Sequence, residues 1–155
     1  MKKTLMAAGL TATLAGAPAV AQTVDVFPSG HTPTITGNGQ NFSGHVAIDL
    51  LTPSSVQTPS SSGLVTFAPG ARTAWHTHPA GQMLIVTAGT GWVRQEGQDR
   101  RVIKPGDVVW IPAGVKHWHG ATESNGMSHF AITYIQDGKN ADWLELVTDE
   151  DYRAQ

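Results

Sequence analysis

The sequence predicts an all-β domain, a sandwich or closed barrel of short strands with a short helix at its C-terminal end. Three observations carry this. Runs rich in apolar and β-branched residues, several of them alternating, recur at short intervals from residue 42 to residue 136. Gly- and Pro-containing turns punctuate them at Pro69-Gly70, His78-Pro79, Gly89-Thr90-Gly91, Pro105-Gly106, Pro112-Ala113-Gly114 and Asp137-Gly138. These supply the positive-φ and fixed-φ positions that tight turns need. No helical pattern intervenes, so the strands must bury their apolar faces against one another.

Taken in order, residues 1–21 read as an export signal. Lys2 and Lys3 open it, an apolar run from Leu5 to Leu14 follows, and Ala19-Val20-Ala21 is a small-residue cleavage site. The apolar run is too short and alanine-rich for a membrane span. Residues 22–41, rich in Gly, Pro, Thr and Ser, form a loosely ordered lead-in, and residues 42–155 form the domain itself. The first strand is expected over 42–51, with Val46, Ile48 and Leu50 on one face. Residues 52–62 form a loop by composition. Strands follow over 64–68, 73–78, 82–88, 92–96, 101–104, 107–111, 115–120 and 129–136. Asn140 is a candidate cap for a helix over 141–147, docking Trp143, Leu144 and Val147 on the sheet, and Thr148 caps the acidic turn beyond.

Composition narrows the function. The 155 residues carry 10 basic and 12 acidic side chains. Losing Lys2 and Lys3 with the signal takes the basic count to 8 and the balance to −4. Nothing in that suggests a nucleic-acid partner or a membrane surface. There is no cysteine, so any metal must be held by nitrogen and oxygen donors.

Histidine supplies the nitrogen. Five of the seven histidines fall between His76 and His129. On an extended strand His76 and His78 point to one face, while Trp75 and Thr77 point to the other. Gln82 opens the next strand beside them. His117 follows its own Pro-Gly turn, His119 shares its parity, and Trp118 does not. His129 lies on a face with Ala131 and Thr133, small and polar as expected beside a cavity. His31 and His45 lie outside the cluster. Trp75, Trp92, Trp110 and Trp118 read as barrel packing or a subunit interface, and Arg72 and Lys116 as solvated loop charges.

Two motifs make a resemblance specific. Gly70-x5-His76-x-His78-x3-Gln82-x6-Gly89 resembles the first cupin motif, with Gln82 where a glutamate is usual. Gly106-x5-Pro112-x-Gly114-x2-His117 resembles the second, with Ala121 in place of its terminal Asn. More narrowly, residues 69–91 and 105–122, His129 and residues 137–150 resemble the small bacterial manganese-dependent hydroxynitrile lyases of that superfamily. The resemblance implies a single cupin jelly-roll barrel. It makes His76, His78, Gln82 and His117 ligands of one divalent metal, with manganese(II) implied and Fe, Ni or Zn compatible with the donors. It makes His129 the acid–base residue and places Val65, Thr133 and His119 in the substrate pocket. Thr133 stands where these lyases carry a glutamine.

The expected function is a small-molecule lyase in which the metal is the Lewis acid toward a carbonyl or hydroxyl oxygen. Four neutral donors leave the metal's charge uncompensated, which favours Lewis-acid over redox chemistry. The alternatives are a three-histidine Fe or Ni oxygenase and a non-catalytic binder of metal or small molecules. The expected setting is the periplasm, and the expected assembly a homodimer or higher homo-oligomer.

Overall fold

The computed structural model describes residues 23–55 and 58–155; the signal expected over 1–21 lies outside them. The chain folds into two antiparallel sheets that curl face to face as a jelly-roll barrel. Its strands are β1 (Ile35–Thr36), β2 (Phe42–Ser43), β3 (Val46–Thr52), β4 (Ser60–Phe67), β5 (Arg72–Thr73), β6 (His76–Thr77), β7 (Gln82–Gly89), β8 (Gly91–Gln95), β9 (Arg101–Ile103), β10 (Val108–Ile111), β11 (His117–Ala121), β12 (Met127–Tyr134) and β13 (Asp142–Trp143). The one helix among the described residues, α1, is Asp149–Arg153. One sheet runs β1-β3-β4-β12-β7-β10. In the other, β11 is flanked on one edge by β5 and β6 and on the other by β8, which carries β9.

Several expected elements differ, each because the chain changes sheet or finds a partner in space. The strand expected over 42–51 breaks at Gly44 (φ 79°), where a Cβ would lie 2.9 Å from Ala71. Only glycine fits there, and the break sends β2 to one sheet and β3 to the other. The strand expected over 73–78 likewise splits into β5 and β6 around Ala74 and Trp75. Ser60–Ser62, read as loop, open β4 because they pair with Ile132–Tyr134 of β12. Thr52 and Ser62 join their hydroxyls at 2.7 Å across the adjacent ladder. Serine's weak strand preference yields here to pairing on both sides.

The expected helix over 141–147 is absent. Asp142 and Trp143 pair instead with Thr77 and His76, and the ladder continues through Leu144 N to Trp75 O and Trp75 N to Glu145 O, both 2.9 Å. An open β6 edge offers a full set of backbone partners, which outweighs local helix preference. The helix is confined to α1, where the Thr148 hydroxyl accepts from Asp151 N at 3.0 Å. Within the lead-in, Ile35–Thr36 pair with Ala47 and Ile48 as β1.

Two apolar clusters stabilise the barrel. Val46, Phe67, Ala71, Val86, Val93, Ile103, Ala121 and Met127 fill one end of the interior. Outside the second sheet, Trp75, Trp118, Val147 and Tyr152 pack together with Trp92. Three arginines fasten the C-terminal segment there, and Arg72 is a buried clamp instead of the solvated charge expected. Its guanidinium donates to Val147 O at 2.9 Å and Asp149 Oδ1 at 2.8 Å and stacks 4.5 Å over Tyr152. Arg94 donates to Asp151 O and Arg100 to Tyr152 O. The Tyr152 hydroxyl donates to Ala121 O at 2.8 Å inside this layer. Tyr152→Phe should therefore cost about 1 kcal/mol, read as a fall of a few degrees in the thermal midpoint. An unchanged midpoint would mean that this bond contributes nothing net.

Candidate metal centre and cavity

Strand parity carries five imidazoles to the open end of the barrel. His76 begins β6 and His78 follows it at the turn. Gln82 is the first residue of β7, His117 the first of β11, and His119 lies two residues on. His129 and Thr133 come from β12, with Thr133 directly opposite Gln82 in the β7–β12 ladder. His76, His78, His117, His119 and His129 are all at most 4% exposed. Trp118, of opposite parity, points away into the outer aromatic cluster.

The rings are in mutual contact: centroids are 4.1 Å apart for His76 and His117, 4.9 Å for His76 and His78, and 5.4 Å for His78 and His117. Their Nδ1 atoms are each tied to a backbone carbonyl. His76 reaches Ala74 O at 3.0 Å, His78 reaches Asn140 O at 2.7 Å and His117 reaches Val115 O at 2.9 Å. A carbonyl can only accept, so each Nδ1 carries the proton and each Nε2 presents a lone pair. His78 Nε2, His117 Nε2 and Gln82 Oε1 are buried with no hydrogen-bond partner. Buried acceptors without partners are costly, and a cluster of them is what a cation satisfies.

The closest nitrogens form a different trio. One ring nitrogen each from His76, His117 and His119 lies within 4.8 Å of the others. His119 is nevertheless unlike the other three, because its Nδ1 faces His129 Nε2 at 3.1 Å instead of a carbonyl. The structure thus brings a fourth imidazole beside the three read from the motifs and couples it to His129, whose own Nδ1 has no partner.

A cavity of about 170 Å³ opens onto the cluster. Val65, Thr133, His119 and His129 all line it, as do Phe42 and Trp143, and no charged side chain does. His117 lies behind this wall and borders a larger groove of about 480 Å³ between β8, β9 and β10. That groove holds no second convergent donor set, whereas His76, His78, Gln82, His119 and His129 all line the smaller cavity.

Burial keeps the imidazoles neutral. It brings His117 and His129 down to about 4. His76 and His119 lie well below the ordinary range, again through burial first and through neighbouring imidazoles second. Burial lowers His78 too, offset in part by the Asn140 carbonyl and the Gln82 side chain. In the unfolded chain His117 and His129 take up protons below about 6.5, whereas the fold resists them until about 4. The unfolded state then binds more protons, so stability falls as pH falls through that window. At about 1.4 kcal/mol per pH unit for each group, His117 and His129 together make that slope about 3 kcal/mol per pH unit. The thermal midpoint of metal-free protein should be level above pH 7 and fall steeply between 6.5 and 4; a level profile down to pH 4 would contradict this burial.

Three contacts have no counterpart in the motifs. The Asn140 carbonyl orients His78, Trp143 stacks on His76 at 4.7 Å and 27°, and Thr133 accepts from Gln82 Nε2 at 2.9 Å. The signal for the first two was the Asp137-Gly138 pair, whose positive φ values (53° and 77°) turn the chain back across the cluster. His31 and His45 are exposed and line neither the cavity nor the groove.

A family profile described as the cupin domain matches residues 63–133. A curated protein named (R)-mandelonitrile lyase, from Granulicella tundricola, is 55% identical over 112 residues, covering 72% of this chain and 86% of that protein. A crystal structure of a cupin-like protein from Thermotoga maritima superposes with a TM-score of 0.73 at 40% identity, covering 83% of this chain and 95% of the other. An acireductone dioxygenase from Trichormus variabilis is 33% identical over 100 residues, or 62% of this chain, and the match spans only 51% of its length.

Proposed function

The chain belongs to the cupin family, and on that premise we propose that it is a metal-dependent lyase of small hydroxyl and carbonyl compounds, with aryl cyanohydrins as the first substrates to test. The observation that carries the reading is the set of buried, unpartnered acceptors His78 Nε2, His117 Nε2 and Gln82 Oε1. With His76 Nε2 they would hold one divalent ion, manganese(II) by resemblance, whose contribution is Lewis acidity toward a hydroxyl or carbonyl oxygen. The similarity to the mandelonitrile lyase supports the substrate class.

The remaining work falls to the chain. His129 is neutral and buried, and His119 occupies its Nε2, so Nδ1 is the atom left to take up or release a proton. Proton transfer by a positioned group of this kind contributes about 10²–10⁴-fold. His119 relays or holds the partner proton, and its backbone N is anchored to the Thr73 hydroxyl at 3.2 Å. Phe42 and Trp143, with ring centroids 5.5 Å apart, give an aryl group an apolar wall. The cavity is well below the roughly 300–1,000 Å³ of pockets for drug-sized ligands, which supports a substrate of few atoms. Where the lyases carry a glutamine, the Thr133 hydroxyl keeps a proton to donate toward the cavity.

Residues 1–21 fit an export signal and a periplasmic setting. The outer face of the six-stranded sheet, where Val108, Trp110 and Phe130 are exposed, suits a second copy of the chain. The reading is tested by measuring cyanide release from mandelonitrile with manganese-loaded and chelator-stripped protein, beside an oxygen electrode. Release by the loaded form alone, without oxygen uptake, is expected. Oxygen consumption on a thiol, catechol or flavonol, with no cyanide from any cyanohydrin, would replace the lyase by an oxygenase. Tight ligand binding with neither reaction would leave a binding protein.

A further inference from the structure

A glutamine is an ambiguous ligand. Its amide ends are alike in shape, but only the oxygen can bind a cation, and the end that faces inward is decided by what the other end bonds. Gln82 is 5% exposed and Thr133 is 8% exposed, so solvent cannot make the choice. The Thr133 hydroxyl accepts from Gln82 Nε2 at 2.9 Å, and Gln82 Oε1 is the end left unpartnered. The two residues are direct cross-strand partners in β7 and β12, the closest placement a sheet offers. A β-branched side chain has few χ1 choices, so the hydroxyl is held in place.

We propose that Thr133 is a positioning residue that fixes the amide of Gln82 with its oxygen toward the metal. The inference rests on the metal reading above and adds to it that a residue outside the cupin motifs sets the competence of a ligand within them. It also explains how threonine serves where the related lyases have glutamine: a hydroxyl can accept from the amide without presenting a second amide of ambiguous sense. The need is specific to glutamine at 82, because a carboxylate has two equivalent oxygens and no wrong way round.

That specificity supplies the test. Manganese(II) dissociation constants are measured by calorimetry for the wild type, Thr133→Val, Thr133→Ser, Gln82→Glu and the Gln82→Glu/Thr133→Val double variant. Thermal melts of the metal-free forms confirm folding. Thr133→Val should weaken manganese(II) about 10–100-fold, the range for losing a partner of a ligand, and Thr133→Ser should restore it. In the Gln82→Glu background the valine should change affinity by less than about 3-fold, since the lost contact no longer selects an oxygen. Equal losses in both backgrounds would reduce Thr133 to packing, and no loss in either would overturn the proposal. Should Thr133→Val melt early, Thr133→Ala carries the same expectation without added bulk. A wild type that binds no manganese(II) would instead overturn the metal reading itself, a result separate from any effect at Thr133.

Discussion

Replacing His117 with alanine should strip the divalent metal from the protein, while replacing His119 should leave it bound. The two imidazoles share a strand and a face, and their ring centroids are 5.8 Å apart, so the contrast rests on their partners. His117 Nδ1 is fixed by the Val115 carbonyl and its Nε2 has no partner. His119 Nδ1 is engaged by His129. Losing an outer partner of a ligand costs about 10–100-fold in affinity, and losing the ligand itself should cost more. Two readouts follow. Equilibrium dialysis with elemental analysis should find about one metal per chain in the wild type and in His119→Ala, and none in His117→Ala. The metal-dependent rise in thermal midpoint, worth about 2.7 kcal/mol at 100 times the dissociation constant, should vanish in His117→Ala alone. Metal lost from His119→Ala and kept in His117→Ala would reverse the assignment.

His129→Ala should lower the rate of cyanohydrin cleavage by about 10²–10⁴-fold with the metal still in place. His129 is fully buried and its side-chain hydrogen bond runs to His119 and to none of the four ligands, so its removal takes away a proton-transfer group without unpinning any ligand. The centroid of its ring lies 5.6 Å from that of Phe67, and the smaller side chain leaves a void in the wall. His129→Gln, closer in volume, separates the two effects: it should recover stability but not rate. A variant that lost rate and metal together would show that His129 supports the ligand cluster instead of serving a separate step.

Much of this site was legible because it depends on strand parity and turn chemistry, both local properties. The i, i+2 spacing set His76 with His78 and His117 with His119, and the Pro112-x-Gly114 turn delivered the second pair to the first. The same parity sent Trp118 outward and put His129, Ala131 and Thr133 on one face, all three of which border the cavity. Contacts made by distant backbone were not legible. Asn140 and Trp143 lie in a stretch whose local preference is helical, and they reach the site only because β6 has an edge to be paired. The break at Gly44 depends on how closely Ala71 approaches, and Arg72 is buried by a C-terminal segment 75 residues away. Thr133 was visible as a departure from the related lyases, but its hydrogen bond to Gln82 required the β7–β12 register.

The most direct test of the centre is the X-ray absorption spectrum of manganese-loaded wild-type protein, compared with that of His119→Ala. Three imidazoles and a remainder of oxygen donors are expected, with the same three imidazoles in the variant. A fourth imidazole in the wild type that disappears from His119→Ala, or only two imidazoles in both, would contradict the ligand set of His76, His78, Gln82 and His117.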